Sequence, residues 1–208
     1  MPQLSEKSPF EFTGGNLCLD FANTVDNRAS ERATELLTDY SQLLRWSEES
    51  GVISGRTADK LSALARESPG NAQLAVRHAI QMRDAIYDIF SAVAQRSGIP
   101  SRALAALNQA VRNAAEHAEV VHTNRRFAWD WVLPESHLEA VLWPVARTAA
   151  ELLTSEELAN VRQCASDTCA WLFLDKTKNH RRRWCDMKTC GNRDKARRYY
   201  QRQKANVA

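Results

Sequence analysis

Four of the five cysteines in this 208-residue chain lie in its last quarter as two C-x4-C pairs, Cys164/Cys169 and Cys185/Cys190, with fifteen residues between the pairs. Two close thiolate pairs joined by a segment long enough for a hairpin are what a tetrahedral structural metal site requires. Two disulfides would need an oxidising compartment. Residues 1–10 contain no apolar run suited to a signal peptide, so a cytoplasmic location is expected. A redox dithiol usually shows as a single C-x-x-C beside a βαβ pattern. An iron–sulfur cluster takes the same four thiolates, and spacing alone does not separate it from zinc. The compact hairpin-plus-helix context favours a structural Zn2+ on Cys164, Cys169, Cys185 and Cys190, with no open position for a substrate.

Between the pairs, Trp171–Leu174 reads as a strand with its aromatics on one side, and Asp175–Asn179 as turn chemistry. A return strand over Arg182–Trp184 and a helix starting near Cys190 complete a treble-clef-like module. Asp175 is expected to pair with Arg183. At 100° per residue, Ala196, Tyr199 and Tyr200 share one arc suited to packing on Trp171 or Trp184. Lys195, Arg198 and Arg202 gather on the far arc, while Arg193 and Arg197 flank Tyr200. Arg181 and Arg182 on the hairpin, Lys188 between the last two cysteines, and Asn192 extend this surface. From Val161 onward thirteen Lys or Arg face four Asp, a net +9, which leaves −6 on the first 160 residues. A basic tail on an acidic body is the electrostatic footprint of a nucleic-acid reader; a merely solvated charged face is the bland alternative. Arginine forks suit phosphates and guanine edges, and a helix of this size fits a major groove.

The preceding residues read as a helical bundle. Leu17, Phe21 and Val25 recur at helical spacing, which predicts a mostly buried helix over about residues 16–27. Its polar members Asp20, Asn23 and Thr24 form either a structural network or, with Arg83, the lining of a small-molecule pocket. Asp20 is expected to pair with Arg28, Arg83 or Arg147, because a buried carboxylate is costly alone. Cys18 reads as core. Further helices are expected to start at Thr38, Thr57, Asn71 and Pro100, joined by short connections. Period-two alternation over 118–132 around Asn124-Arg125-Arg126 predicts a β-hairpin with Phe127, Trp129 and Trp131 against the core. His117 and His122 are the histidines expected to lie near one another. A helix from Ser136 should kink at Pro144, followed by a capping box at Thr154–Glu157.

The run Cys164-x4-Cys169, Trp171-Leu-Phe173-Leu-Asp175, Arg182-Arg183-Trp184-Cys185, Met187, Cys190-Gly191-Asn192-Arg193-x-Lys195 resembles the CGNR zinc finger. Gly15–Thr24 and the stretch into Glu151–Thr154 are similar to ABATE, an α-rich domain that precedes this finger in proteins described as putative stress-induced transcription regulators. The resemblance implies a mainly α fold, an N-terminal helical bundle with a β-hairpin (1–158) followed by a treble-clef-like zinc finger (159–208). It implies a zinc-dependent transcription regulator that binds double-stranded DNA, with a bundle that senses a small-molecule effector or forms a homodimer. An adaptor for an acidic protein partner and an RNA-binding protein are the alternatives. There is no phosphate-binding glycine loop, no helical His-Glu-x-x-His and no local cysteine–histidine pair, so no enzyme is expected. No apolar run approaches the ~20 residues that span a bilayer.

Overall fold

The computed structural model describes residues 8–132 and 134–205. Residues 1–7, most of the segment in which no signal peptide is expected, lie outside the described residues. The elements in order are α1 (Leu17–Ala22), β1 (Val25–Asp26), β2 (Thr34–Glu35), α2 (Tyr40–Glu49), α3 (Gly55–Glu67), α4 (Pro69–Gln95), α5 (Ser101–Ala115), β3 (Ala118–Thr123), β4 (Arg126–Trp131), α6 (Trp143–Leu153), β5 (Val161–Gln163), β6 (Leu172–Leu174) and α7 (Asn192–Ala205). The fold is mainly α, and its strands form three separate antiparallel pairs, β1–β2, β3–β4 and β5–β6. No helix among the described residues is long and apolar enough to cross a membrane.

The bundle core forms around α1 and α4, whose buried residues include Cys18, Leu19, Phe21, Ala79, Ile86 and Phe90. Phe21 meets Trp46 edge-on at 4.8 Å, an arrangement aromatic quadrupoles favour. Cys18 is a core residue, and burial drives its thiol far above the ordinary range, so it stays neutral.

Several local expectations are corrected. The first helix ends at Ala22, five residues early, because Asn23 and Thr24 are drawn into other contacts. The amide of Asn23 donates to the Leu172 carbonyl and accepts from the Leu172 N–H, both at 2.8 Å, and so behaves as a strand neighbour for β6. Thr24 turns its hydroxyl back to the Phe21 carbonyl. Asp39, not Thr38, caps α2, since its carboxylate takes the amides of both Ser41 and Gln42. Ser54 caps α3, and Thr57 supplies the amide it accepts. α4 opens at Pro69, whose missing N–H costs nothing in a first turn. By the same logic Pro144 lies in the first turn of α6 and does not kink it. No capping box forms at Thr154–Glu157: Thr154 and Ser155 bond back to the carbonyls of Ala150 and Leu152.

The β3–β4 hairpin is the largest departure. It forms in the expected register, with Asn124 and Arg125 both at positive φ in its two-residue turn. Its aromatic face does not enter the core: Phe127 is 77% and Trp129 55% exposed. Its base is anchored by Trp131 against Trp143 and by Val132 N–H on the His117 carbonyl, and the Arg147 guanidinium lies over the Trp129 ring. Accordingly His117 stacks on Trp143 and meets His137, while His122 sits beside Phe127.

None of the three arginines proposed for Asp20 reaches it. Arg28 pairs with Asp84, Arg83 with Glu35 and Asp84, and Arg147 with Glu151. Among the described residues Asp20 accepts the Gly14 N–H, at 2.7 Å. Gly14 in turn gives its carbonyl to Leu174 N–H at 2.8 Å, and a Cβ there would strike Asp20 backbone at 2.9 Å.

Asn23→Ala is expected to lower stability by about 3 kcal/mol in denaturant titration, because it orphans a buried donor and a buried acceptor of Leu172. Burial pushes the Asp20 carboxyl up to about 6 from 3.8. A folded pKa above the unfolded one means stability falls as pH rises from about 4 to 6 and stays lower above that. Asp20→Asn, which keeps an acceptor for Gly14, should abolish that fall in pH-dependent unfolding curves and be the more stable chain at pH above 6.

Candidate metal centre and basic surface

The module grows out of β6. Its alternation sends Leu172 and Leu174 into the bundle core, while Trp171 and Phe173 line a second cluster with Cys164, Cys169, Cys185 and Cys190. β6 pairs with β5, not with residues 182–184, which form no strand. That corrects the expected hairpin: the return strand is replaced by a loop built on Asp175. This fully buried carboxylate accepts the amide and hydroxyl of Thr177 and the amide of Arg182. Burial pushes it up, but those donors outweigh burial and hold it below the usual carboxylate range. It does not meet Arg183, whose guanidinium lies over the Trp184 ring.

The first knuckle leaves β5 at Cys164, whose N–H bonds the Trp171 carbonyl, and turns at Cys169 with Ala170 at positive φ. The second arrives when the Arg183 carbonyl accepts Ala165 N–H at 2.8 Å. Asp186 then caps the turn Met187–Gly191 by accepting from Thr189, which brings Cys190 inward on the first turn before α7. Gly191 has an ordinary φ; its missing Cβ leaves room for the Met187 thioether, 2.5 Å from where that Cβ would be.

All four sulfur atoms are buried and lie within 4.8 Å of one another. Two separations are 3.6 Å (Cys169–Cys185) and 3.7 Å (Cys185–Cys190). A tetrahedron with ~2.3 Å metal–sulfur bonds has edges of about 3.8 Å. Disulfide bonds are excluded at such lengths, and all the cysteines are free. The Cys164 thiol is pulled down by hydrogen bonds from Cys169 and Cys185, and those partners are pushed up in return. One centre cannot hold four thiolates without a cation. The donor set therefore fits a zinc ion, and no fifth donor or open side is needed.

The cationic residues divide into two groups. Arg182 is structural: its guanidinium covers the Phe173 ring at 4.5 Å, donates to the Trp184 carbonyl at 2.8 Å and bonds the Cys185 carbonyl. Arg197 and Arg198 are tied to Asp194, the buried residue of α7, and Arg197 also pairs with Asp167. Arg193 donates to the Thr168 hydroxyl and Asn192 to the Lys188 carbonyl. Arg181, Lys188, Lys195 and Arg202 are exposed. Lys176, Lys178 and Arg183, in the loop and the stretch that follows it, are exposed as well. Tyr199 and Tyr200 are 60% and 66% exposed and meet edge-on, so they do not pack on Trp171 or Trp184. α7 instead turns Asp194 inward.

Asp20, Asn23, Thr24 and Arg83 turn to separate partners, Gly14, Leu172, Phe21 and Glu35. A groove of about 930 Å³ lies elsewhere, between α2, α3 and the start of α4, with Tyr40, Leu44, Arg45, Ala58 and Val76 in its wall. What sequence reasoning missed is the seating of the module. Trp171 donates its indole N–H to the Val25 carbonyl, and Tyr87 its hydroxyl to Ala170. Gln163 donates to the Tyr87 hydroxyl. Each is a lone polar residue in a core pattern, a signal without an address.

The purified chain should carry one zinc per molecule by elemental analysis. Lowering the pH should release it, because protons compete for the thiolates, and Cys164→Ser or Cys190→Ser should weaken retention against a chelator by at least tenfold.

Comparison with family models gives two matches. Residues 15–156 match ABATE, "Putative stress-induced transcription regulator", and residues 160–203 match the CGNR zinc finger. No match was found among curated proteins. Neither matched family is enzymatic in type. With the first model covering most of the chain and the second the four-cysteine centre, the chain belongs to the ABATE family and carries a C-terminal CGNR zinc finger.

Proposed function

We propose that the chain is a zinc-dependent, DNA-binding transcription regulator working in the cytoplasm, whose units divide near residue 158. The observation that carries this reading is the placement of charge on α7. Asn192, Lys195, Tyr199 and Arg202 share one solvent-facing arc of a helix that starts directly from the metal-bound turn. A metal that fixes Cys190 thereby fixes the aim of this arc. Arg181 and Lys188 extend the positive surface towards the hairpin loop and the second knuckle. Arg193, Arg197 and Arg198 act from the ion-paired side, held in fixed orientations by Thr168, Asp167 and Asp194, which lowers the entropy lost on meeting phosphate. Arg182 supports the site from beneath.

The bundle's part is to hold the module. Asn23 and, through Gly14, Asp20 contact β6, while Thr24 and Arg83 bond within the bundle. These roles favour the structural network over an effector pocket at those four residues. A second reading, single-stranded RNA, draws on the exposed Tyr199 and Tyr200, since aromatic faces stack on unpaired bases.

Anisotropy titration of zinc-loaded chain on random duplex DNA should show log Kd rising with log salt by about 0.9 per phosphate contact. Lys195→Ala and Arg202→Ala should each cut that slope by about one, and chelation should abolish binding. Tighter binding to single-stranded RNA, lost on Tyr199→Ala, would select the second reading. Binding to neither would reject both.

A further inference from the structure

An isolated two-stranded hairpin is marginal in water, and protein edges are normally blunted by Pro, Lys or a bulge. The β3–β4 hairpin has none of these. Its register is one-to-one over six pairs, and β4 reads Arg-Phe-Ala-Trp-Asp-Trp. No other strand among the described residues pairs with it. The two-residue turn closes on the pair Thr123/Arg126, so hydrogen-bonded pairs alternate from there. The N–H and C=O groups of Arg126, Ala128 and Asp130 then face β3, and those of Phe127 and Trp129 face outward. Side chains add a second unbalanced feature. Glu119 and Asp130 are direct cross-strand neighbours, two like charges on one face, while Phe127, Val120 (60% exposed) and Trp129, the last with Arg147 over its ring, are largely exposed on the other.

We propose that a second copy of this chain covers that edge, with β4 of one protomer antiparallel to β4 of its partner about a two-fold axis at Ala128. Facing must be preserved across a sheet, so residue numbers in opposed pairs sum to an even value, and this register satisfies that rule. Phe127 and the partner's Trp129 become a hydrogen-bonded pair that uses the outward groups of both. Their rings form aromatic cross-strand pairs on one face, and the Arg147 guanidinium, 4.5 Å over the Trp129 ring, braces it from behind. On the other face Arg126 meets the partner's Asp130, bringing a cation to the Glu119/Asp130 pair. The sequence is thus self-complementary in charge and in aromatic content about one residue, which a random edge is not. This gives a definite surface to the dimerisation role expected of the N-terminal domain. It is independent of the choice of nucleic acid.

The test uses the full zinc-loaded chain without nucleic acid. Sedimentation equilibrium over roughly 1 to 100 µM should show mass approaching twice 23.5 kDa. Ala128 and its symmetry mate form a non-hydrogen-bonded pair with Cα atoms about 4.5 Å apart, within disulfide reach. Ala128→Cys should therefore cross-link under mild oxidation. Asp130→Cys should not, since the two copies of residue 130 would lie roughly 13 Å apart. Arg126→Asp and Asp130→Arg should each loosen the dimer by about tenfold, and mixing the two variants should restore wild-type affinity in the heterodimer. A monomer at every concentration would overturn the proposal. So would a dimer in which Ala128→Cys fails to cross-link, or in which Asp130→Cys cross-links equally well.

Discussion

A three-residue strand with two different faces holds this structure together. β6 offers Leu172 and Leu174 to the bundle, and Trp171 and Phe173 beside it wall the cysteine cluster. A strand this short cannot leave an edge bare in the interior, because each unpaired buried amide costs on the order of 1–3 kcal/mol. One edge is paired by β5. The other has no strand beside it, and Asn23 and Gly14 supply the missing donors and acceptors. The bundle and the metal module are therefore contiguous through one backbone segment.

That arrangement also sorts the charge of the C-terminal region. Its four carboxylates all have structural work: Asp175 organises the loop, Asp186 caps a turn, and Asp194 and Asp167 hold arginines. Asp194 also sits in the first turn of α7, where a negative charge is favoured by the helix dipole. The negative groups are turned inward or neutralised at close range, and solvent meets mainly Lys and Arg. Pairing leaves the net charge of this region unchanged, and a zinc ion on four thiolates would lower it from +9 to +7 (−4 plus +2), so what the inward carboxylates change is where the positive charge meets solvent.

How much of this could be read from residues alone follows from the range of each interaction. The cysteines were legible because ligand spacing is a local constraint, and helix existence was legible because periodicity is local too. Caps were harder: Thr38 and Asp39 are both competent, and only the chain path decides which carboxylate or hydroxyl faces the open amides. Alternation at Phe127 and Trp129 states that one face is apolar, not that this protein covers it. Arg182 resembles its neighbours in sequence, yet lies on Phe173 because Asp175 captures its backbone. Asp20 is expected to need a partner and Asn23 to belong to a polar cluster, but the groups they meet, Gly14 and Leu172, are backbone groups and carry no residue signature.

The two halves of the metal centre are held unequally, and this defines what the metal does. The first knuckle is gripped by the bundle: Thr168 accepts Ala29 N–H, Ala170 accepts the Tyr87 hydroxyl, and Arg28 lies 3.8 Å over the Tyr87 ring behind it. The second knuckle and α7 meet the first through Ala165–Arg183, Arg193–Thr168 and Arg197–Asp167, and reach β6 through Arg182 on Phe173 and Asp175. Two of those contacts are exposed polar pairs of small net strength. A zinc ion held by Cys164, Cys169, Cys185 and Cys190 would therefore add a strong link between the seated half and the half that bears the basic arc. Without it the bundle has no reason to unfold, whereas α7 loses the fixed starting point that aims it. A bound metal would therefore act on the orientation of the surface more than on the existence of the bundle.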